Sequence, residues 1–211
     1  MAKNLSMRAM AVVALLGLAA LMAACKPQAG GGVTSDDMSL GSPTAKVTII
    51  EYASLGCPHC ADWNNDVFPQ FKGKYIDTGK VKYVLREFLT GDAQVAAAGF
   101  LLARCAGKDK YFQVVDEVYR HQRDMYQSGS SPRAVLLNIA ESMGLTEAQF
   151  DACVGNDSAL EALTKRVEGY AANDHIEATP TFVVNGKVYN AGEMTMDQLD
   201  KAVAEAEAGA K

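Results

Sequence analysis

Apolar and polar residues alternate along this chain in regimes that change at legible points. Residues 46–53, Lys-Val-Thr-Ile-Ile-Glu-Tyr-Ala, are β-branched and nearly continuous in apolar character, which predicts a strand covered on both faces. Glu51 interrupts that run. Over 61–74, Trp63, Val67, Phe68 and Phe71 recur at helical spacing; Pro58 suits a first turn, and Pro69 is expected to kink or shorten the helix. A second strand-like run, 81–88, follows Asp77-Thr78-Gly79, so the opening reads as a βαβ unit with a parallel sheet.

From about residue 92 to 174 the period becomes helical and stays so. Gly107-Lys108 separates an Ala-rich run ending at Cys105, with Ala96 to Ala98 in close helix packing, from one carrying Tyr111, Val114, Val115 and Val118. Ser131-Pro132 starts another helix that Gly144 stops, and Thr146 with Gln149 forms a capping-box pattern for a short helix ending near Cys153. Asp157 and Ser158 are candidate caps for one more, with Leu160, Leu163 and Val167 on its apolar face. Asn185-Gly186 between β-branched runs signals a hairpin, and 194–208 closes the chain as a helix. There is no internal repeat and no Gly-rich nucleotide loop.

The amino terminus differs in kind. Lys3 and Arg8 are the only charges among residues 1–24, and 9–24 run uncharged. A membrane-spanning helix needs about 20 apolar residues, so this shorter run predicts an export signal. Residues 25–42, with Pro, a Gly run and Ser, predict a flexible tether. Leu21-Met22-Ala23-Ala24-Cys25 resembles the lipobox of bacterial lipoproteins, with Met22 in place of the usual Leu. That resemblance implies a lipid on Cys25 and an envelope or periplasmic protein held to a membrane by lipid alone. The alternative is ordinary cleavage near Ala24, leaving a free thiol.

Composition narrows the function. The 211 residues are 49% hydrophobic and 21% charged with a net charge of −5, which suits a globular domain and excludes the basic stripe of a nucleic-acid binder. Five cysteines, Cys25, Cys57, Cys60, Cys105 and Cys153, are an odd number for an exported chain, so one thiol has a separate task. Cys57 and Cys60 sit two residues apart at a strand-to-helix junction. A zinc site needs four ligands, and with His59 these offer at most three. So short a loop also makes a poor staple. A redox dithiol remains, with Cys57 favoured as thiolate by the helix amino terminus.

Cys57-Pro58-His59-Cys60, preceded by Glu51-Tyr-Ala-Ser-Leu-Gly, resembles the DsbA family of bacterial thiol oxidases. Thr179-Pro180 followed by 181–186 is similar to the proline loop and hairpin of the thioredoxin superfamily, and the likeness runs from about residue 40 to 208. It implies an α/β thioredoxin-like fold with an inserted α-helical subdomain: a core of 43–91 and 175–208, and an insertion of 92–174. It further implies Cys57 as nucleophile, its thiolate stabilised by the helix end and the His59 ring, and Cys60 as the shielded resolving thiol. Glu51 would lie beneath the dithiol and handle its proton, against the blander reading of a strand-end carboxylate. Pro180 would be cis, in a loop offering backbone hydrogen bonds to a substrate strand. Thr179 departs from the Val of the best-known oxidases toward the isomerases and several oxidase relatives. Cys105 and Cys153 would form a second, non-catalytic disulfide. His121 and His175 are expected at the surface and Trp63 in the core.

The function so implied is a monomeric dithiol oxidase acting on reduced exported proteins and reoxidised by a quinone-linked membrane partner of the DsbB type. It requires no metal or organic cofactor and no nucleic acid. An isomerase or reductase is the alternative that Thr179 opens, although the tether is too short for an added dimerisation domain. A non-catalytic envelope binding module is a third.

Overall fold

The computed structural model describes residues 32–127, 129–189 and 192–209. The export signal, Cys25 and the first part of the tether lie outside the described residues. Strand β1 is Met38–Leu40, β2 Val47–Ala53, β3 Val81–Glu87, β4 Thr181–Val184 and β5 Lys187–Tyr189. They form one sheet in the order β1-β3-β2-β4-β5, with β2 and β3 parallel and every other pairing antiparallel. Helix α1 is Pro58–Asp66, α2 Phe68–Phe71, followed by a π-helical turn at Lys72–Ile76. Between β3 and β4 run α3 (Ala93–Cys105), α4 (Tyr111–Arg120), α5 (Asp124–Gln127), α6 (Pro132–Ser142), α7 (Glu147–Val154) and α8 (Asp157–Asp174); α9 (Met196–Gly209) follows the hairpin. This is the thioredoxin-like sheet with an inserted helical region that the resemblance implies.

The period of two along β2 sorts its side chains between two cores. Val47, Ile49 and Ala53 join the larger one, which holds Cys57, Cys60, Trp63 and the apolar faces of α3 and α4. Ile50 and Tyr52 join a smaller one under Ile176, Val183 and Val84. Both faces are covered, so the strand is apolar nearly throughout. Arg86 and Glu87, adjacent on β3, each anchor an ionic network. Arg86 donates to Asp37 (3.2 Å), to Asp174 (3.0 Å) and to the Tyr52 hydroxyl (2.8 Å). Glu87 accepts from Arg104 (2.6 Å), Arg166 (2.8 Å) and Tyr111 (3.1 Å). Asp174 and Arg166 belong to α8, Arg104 to α3 and Tyr111 to α4, so these contacts fasten the helices to the sheet.

Several local expectations need correction. Met38–Leu40, read as tether, is an edge strand paired with β3; its three residues carried no alternation long enough to see. The first helix does break at Val67, just before Pro69, as expected, because Pro69 has no N–H to continue the α1 ladder and the chain restarts in α2. Asn156 caps α8, its side chain accepting from Ala159 N, so Asp157 and Ser158 are not the caps. Leu160 is exposed, whereas Leu163 is buried. The Thr146–Gln149 capping box is present, and Asn185 and Gly186 take positive φ (44° and 83°) at the hairpin tip.

Cys105, at the end of α3, is joined to Cys153 in α7 by a disulfide with a Cα–Cα distance of 5.9 Å. Closing a loop of 48 residues is worth about 4 kcal/mol in the chain-entropy account. The double variant Cys105→Ala/Cys153→Ala is therefore expected to lose about 4 kcal/mol in denaturant unfolding. Thiol titration of the folded double variant should still find a competent Cys57–Cys60 pair.

Candidate active site

Cys57 occupies the N-cap of α1 in an extended conformation, and no side-chain oxygen caps the helix. Its sulfur therefore stands where a capping oxygen would, in front of the free N–H groups of the first turn. Pro58 follows at the first helical position, where the missing N–H costs nothing. One turn on, Cys60 is fully buried, while Cys57 keeps 6% of its surface.

That difference in solvation divides the pair. A hydrogen bond from the Cys60 thiol, with others from the Thr179 hydroxyl and the backbone N–H groups of Cys60 and His59, outweighs burial and lowers the Cys57 pKa from 9.0 to about 5. Burial, the loss of that same proton-sharing bond and the nearby Glu51 push Cys60 far upward. At neutral pH the outer sulfur is a thiolate and the inner one a thiol.

Glu51 lies beneath them on β2, 2% exposed. Desolvation raises its pKa to about 8, with the Cys57 charge adding to the effect, although the Tyr83 hydroxyl donates to its Oε2 at 2.5 Å and pulls the other way. The carboxyl therefore carries a proton near neutrality.

Thr179–Pro180 is a cis peptide, and the Cys57 sulfur stands 3.4 Å from the Thr179 carbonyl oxygen, to which it donates only when protonated. The Thr179 side chain is paired with the Thr90 hydroxyl at 2.5 Å. Behind the dithiol the backbone is drawn unusually close: a Cβ on Gly91 (φ 66°) would stand 2.0 Å from the Gly56 carbonyl oxygen. Gln122, buried in the turn after α4, donates to the carbonyls of Leu55 (2.9 Å) and Cys57 (3.2 Å), so the inserted region helps hold the loop that presents Cys57.

The structure brings Glu51, Cys57, Pro58, Cys60, Thr179 and Pro180 to one end of the sheet. Of the two ways in which the His59 ring could serve the Cys57 sulfur, a hydrogen bond or positive charge, the geometry leaves charge: the ring is exposed and its Nδ1 bonds Glu193 Oε1 at 2.9 Å, while the hydrogen bond from this residue to the sulfur comes from the backbone N–H. Glu193 is the first cause of an upward shift at His59, so the ring is an imidazolium over a wider pH range and acts on Cys57 by charge. His59, Asp62 and Glu193 bring candidate ligand atoms within 4.8 Å of one another, all three at or near the surface; with the ring already bound to Glu193 this is an ion pair, not a built metal site. Trp63 is in the core and donates to the Met194 carbonyl, and His121 is exposed between Glu117 and Asp124, both as expected. Sequence reasoning missed Tyr83, Thr90, Gln122 and Glu193. Only Tyr83 had a signal: in the parallel register Glu51 faces Leu85, so the residue two before it shares that face.

A family model described as thioredoxin matches residues 33–205. A Rickettsia bellii protein provisionally named a protein-disulfide oxidoreductase is 32% identical over 176 residues, covering 82% of this chain and 67% of that one. A Rickettsia conorii protein of the same provisional name is 33% identical over 81% of this chain and 60% of its own length. The chain thus spans about two thirds or less of these relatives. The crystal structure of Wolbachia pipientis alpha-DsbA1 superposes with a TM-score of 0.76 at 26% identity, over 84% of this chain and 94% of that one.

Because the Cys57 pKa is lowered, its contribution to the stability of the reduced chain is fully present above the ordinary cysteine value and is lost as pH falls through about 5. Glu51 is raised, so its contribution is present below 4.5 and lost as pH rises through about 8. Thiolate absorbance of the reduced chain should titrate near 5. A second, smaller step near 8 in the alkylation rate of Cys57 should disappear in Glu51→Gln.

Proposed function

The chain belongs to the thioredoxin family, among its DsbA-like protein-disulfide oxidoreductases, and from that membership we propose that it oxidises dithiols in exported proteins. The observation that carries this reading is the charge asymmetry of the pair: a thiolate held on Cys57 beside Thr179–Pro180, above a Cys60 and a Glu51 that retain their protons.

In the oxidised chain Cys57 and Cys60 share a disulfide. A client thiolate attacks the Cys57 sulfur; the Cys57–Cys60 bond breaks and its electron pair leaves on Cys60, which takes a proton from the neutral Glu51 carboxyl. A high-pKa thiolate is a poor leaving group, so a buried acid at this point lowers the barrier. A second client thiol, losing its proton to water, attacks the client sulfur bound to Cys57. The client disulfide forms and Cys57 departs as a stable thiolate, the better leaving group of the two. Two electrons have passed to the chain, and a quinone-linked membrane partner of the DsbB type would remove them.

Placement outside the cytoplasm is supported by the export-signal pattern of residues 1–24 and by the Cys105–Cys153 disulfide, a bond typical of oxidising compartments. Lipidation of Cys25 accounts for the odd cysteine. Among the described residues no helix is long and apolar enough to cross a membrane.

Equilibration in glutathione buffers is expected to give half-reduction at a potential well above about −200 mV, and a value near the −270 mV of thioredoxin overturns the oxidase reading. Oxidised chain should form disulfides in a reduced unfolded client faster than reduced chain repairs a scrambled one; the reverse order selects the isomerase that Thr179 leaves open. Cys57→Ser should abolish exchange and Cys60→Ala should accumulate client mixed disulfides on gels. Mass analysis of the mature amino terminus should find a diacylglycerol on Cys25.

A further inference from the structure

Tyr119, near the carboxyl end of α4, is 2% exposed, and among the described residues its hydroxyl is the one buried side-chain polar atom without a hydrogen-bond partner. Tyrosine hydroxyls in a core normally find a partner, because an orphan carries a desolvation penalty that a phenylalanine would avoid. Other buried tyrosines here obey the rule: Tyr52 donates to Asp174, Tyr83 to Glu51 and Tyr111 to Glu87. Tyr119 is the exception, and its helix packs on the one that carries the dithiol.

It lies against the helix of the dithiol, sharing a cleft with Pro58 and Ala61, the neighbours of Cys57 and Cys60. Helix α4 packs on α1, and the Tyr119 carbonyl accepts from Asn65 of α1 at 3.3 Å, which fixes the backbone carrying the ring. Beyond burial, the groups that act on the phenol are Cys60, Glu51, Cys57 and Tyr111 in that order, and it acts in turn on Tyr83. These come from α1, from β2 and β3, and from α4 itself. On its outer side Tyr119 lines a cleft of about 330 Å³ with Pro58, Asp62, Arg120, Arg123 and Tyr126.

The reduced, resting site explains why the hydroxyl is unpaired. With Glu51 neutral and Cys60 a thiol, the inner pair holds no charge. Exchange changes that: negative charge must pass through this buried space, on Cys60 when its bond to Cys57 breaks, or on Glu51 when it has given up its proton. A donor already in place when charge develops costs no reorganisation at the moment of reaction. We propose that Tyr119 is a positioning residue whose hydroxyl is held in reserve for this transient inner charge, bonding Cys60 sulfur or the Glu51 carboxylate, directly or through one water, only while that charge exists. The inference rests on the oxidoreductase reading, since without exchange no charge crosses the site. The phenol gains and loses no proton overall; it lends a hydrogen bond.

Tyr119→Phe keeps the ring and removes only the donor. In single-turnover exchange between oxidised chain and a small dithiol, the step in which Cys60 leaves should slow about tenfold at pH 7, a modest share of what a donor to a developing charge supplies. The Glu51 inflection in its pH profile should move upward, because the Glu51 carboxylate has lost a stabilising partner. The melting temperature should hold or rise. In a Glu51→Gln background the same substitution should leave the pH profile flat. An unchanged rate and inflection in an otherwise active chain overturns the proposal, and so does a clear fall in melting temperature, which would mean the hydroxyl is bonded at rest. A wild-type chain that performs no exchange sinks the oxidoreductase reading instead.

Discussion

The hydrogen bond from the Cys60 thiol to the Cys57 sulfur sets the terms for everything around it. A shared proton between two sulfurs can rest on either, and burial decides which: the inner sulfur has no water to solvate a charge, the outer one has the free N–H groups of a helix end. Once Cys60 keeps the proton, Glu51 meets a negative charge above it and a low-dielectric surround, and it too stays neutral. The site thus stores one negative charge at its mouth and excludes it from its floor. The α1 amino terminus, the Thr179 hydroxyl and the apolar packing of Trp63 and Phe182 below are what such a division requires.

Legibility in the sequence follows the range of the interaction. The dithiol, the proline loop, the capping box at Thr146 and Gln149 and the Asn185-Gly186 tip are each written within four residues, and each was readable. Glu51 was suspect because one acid in an apolar strand contradicts its surroundings. Thr90 and Gln122, by contrast, matter only because the chain returns them to the site from far away: Thr90 meets Thr179 across 89 positions and Gln122 meets Leu55 across 67. The partner of His59 was hidden for the same reason, since Glu193, 134 residues on, holds its ring. Strand β1 was missed because three residues do not make a period.

The inserted helices are part of the site's rigidity. Arg86 and Glu87 project to opposite faces of β3 and each is satisfied largely by side chains from outside the sheet. Networks of this kind add little net stability over apolar packing, but losing one member strands the rest in low dielectric. Their value here is registry: they index α3, α4 and α8 against the strand that lies beside β2. Gln122 then bonds the two carbonyls flanking Gly56 from a fixed direction.

The Arg86 guanidinium also meets the beginning of the described chain, taking Asp37 by two contacts and the Gly32 carbonyl by another at 3.3 Å. Since Tyr52 and Arg86 are register partners near the carboxyl ends of β2 and β3, the polypeptide enters this domain at the same end from which Cys57 leaves β2. Gly32 lies seven positions after Cys25, a span of at most about 25 Å. On the proposed attachment at Cys25, the domain would hang head first. Its working radius would then be the length of the attachment alone, without the depth of the protein added, and the clamp of Arg86 on Asp37 would bear any pull before it reached the edge strand.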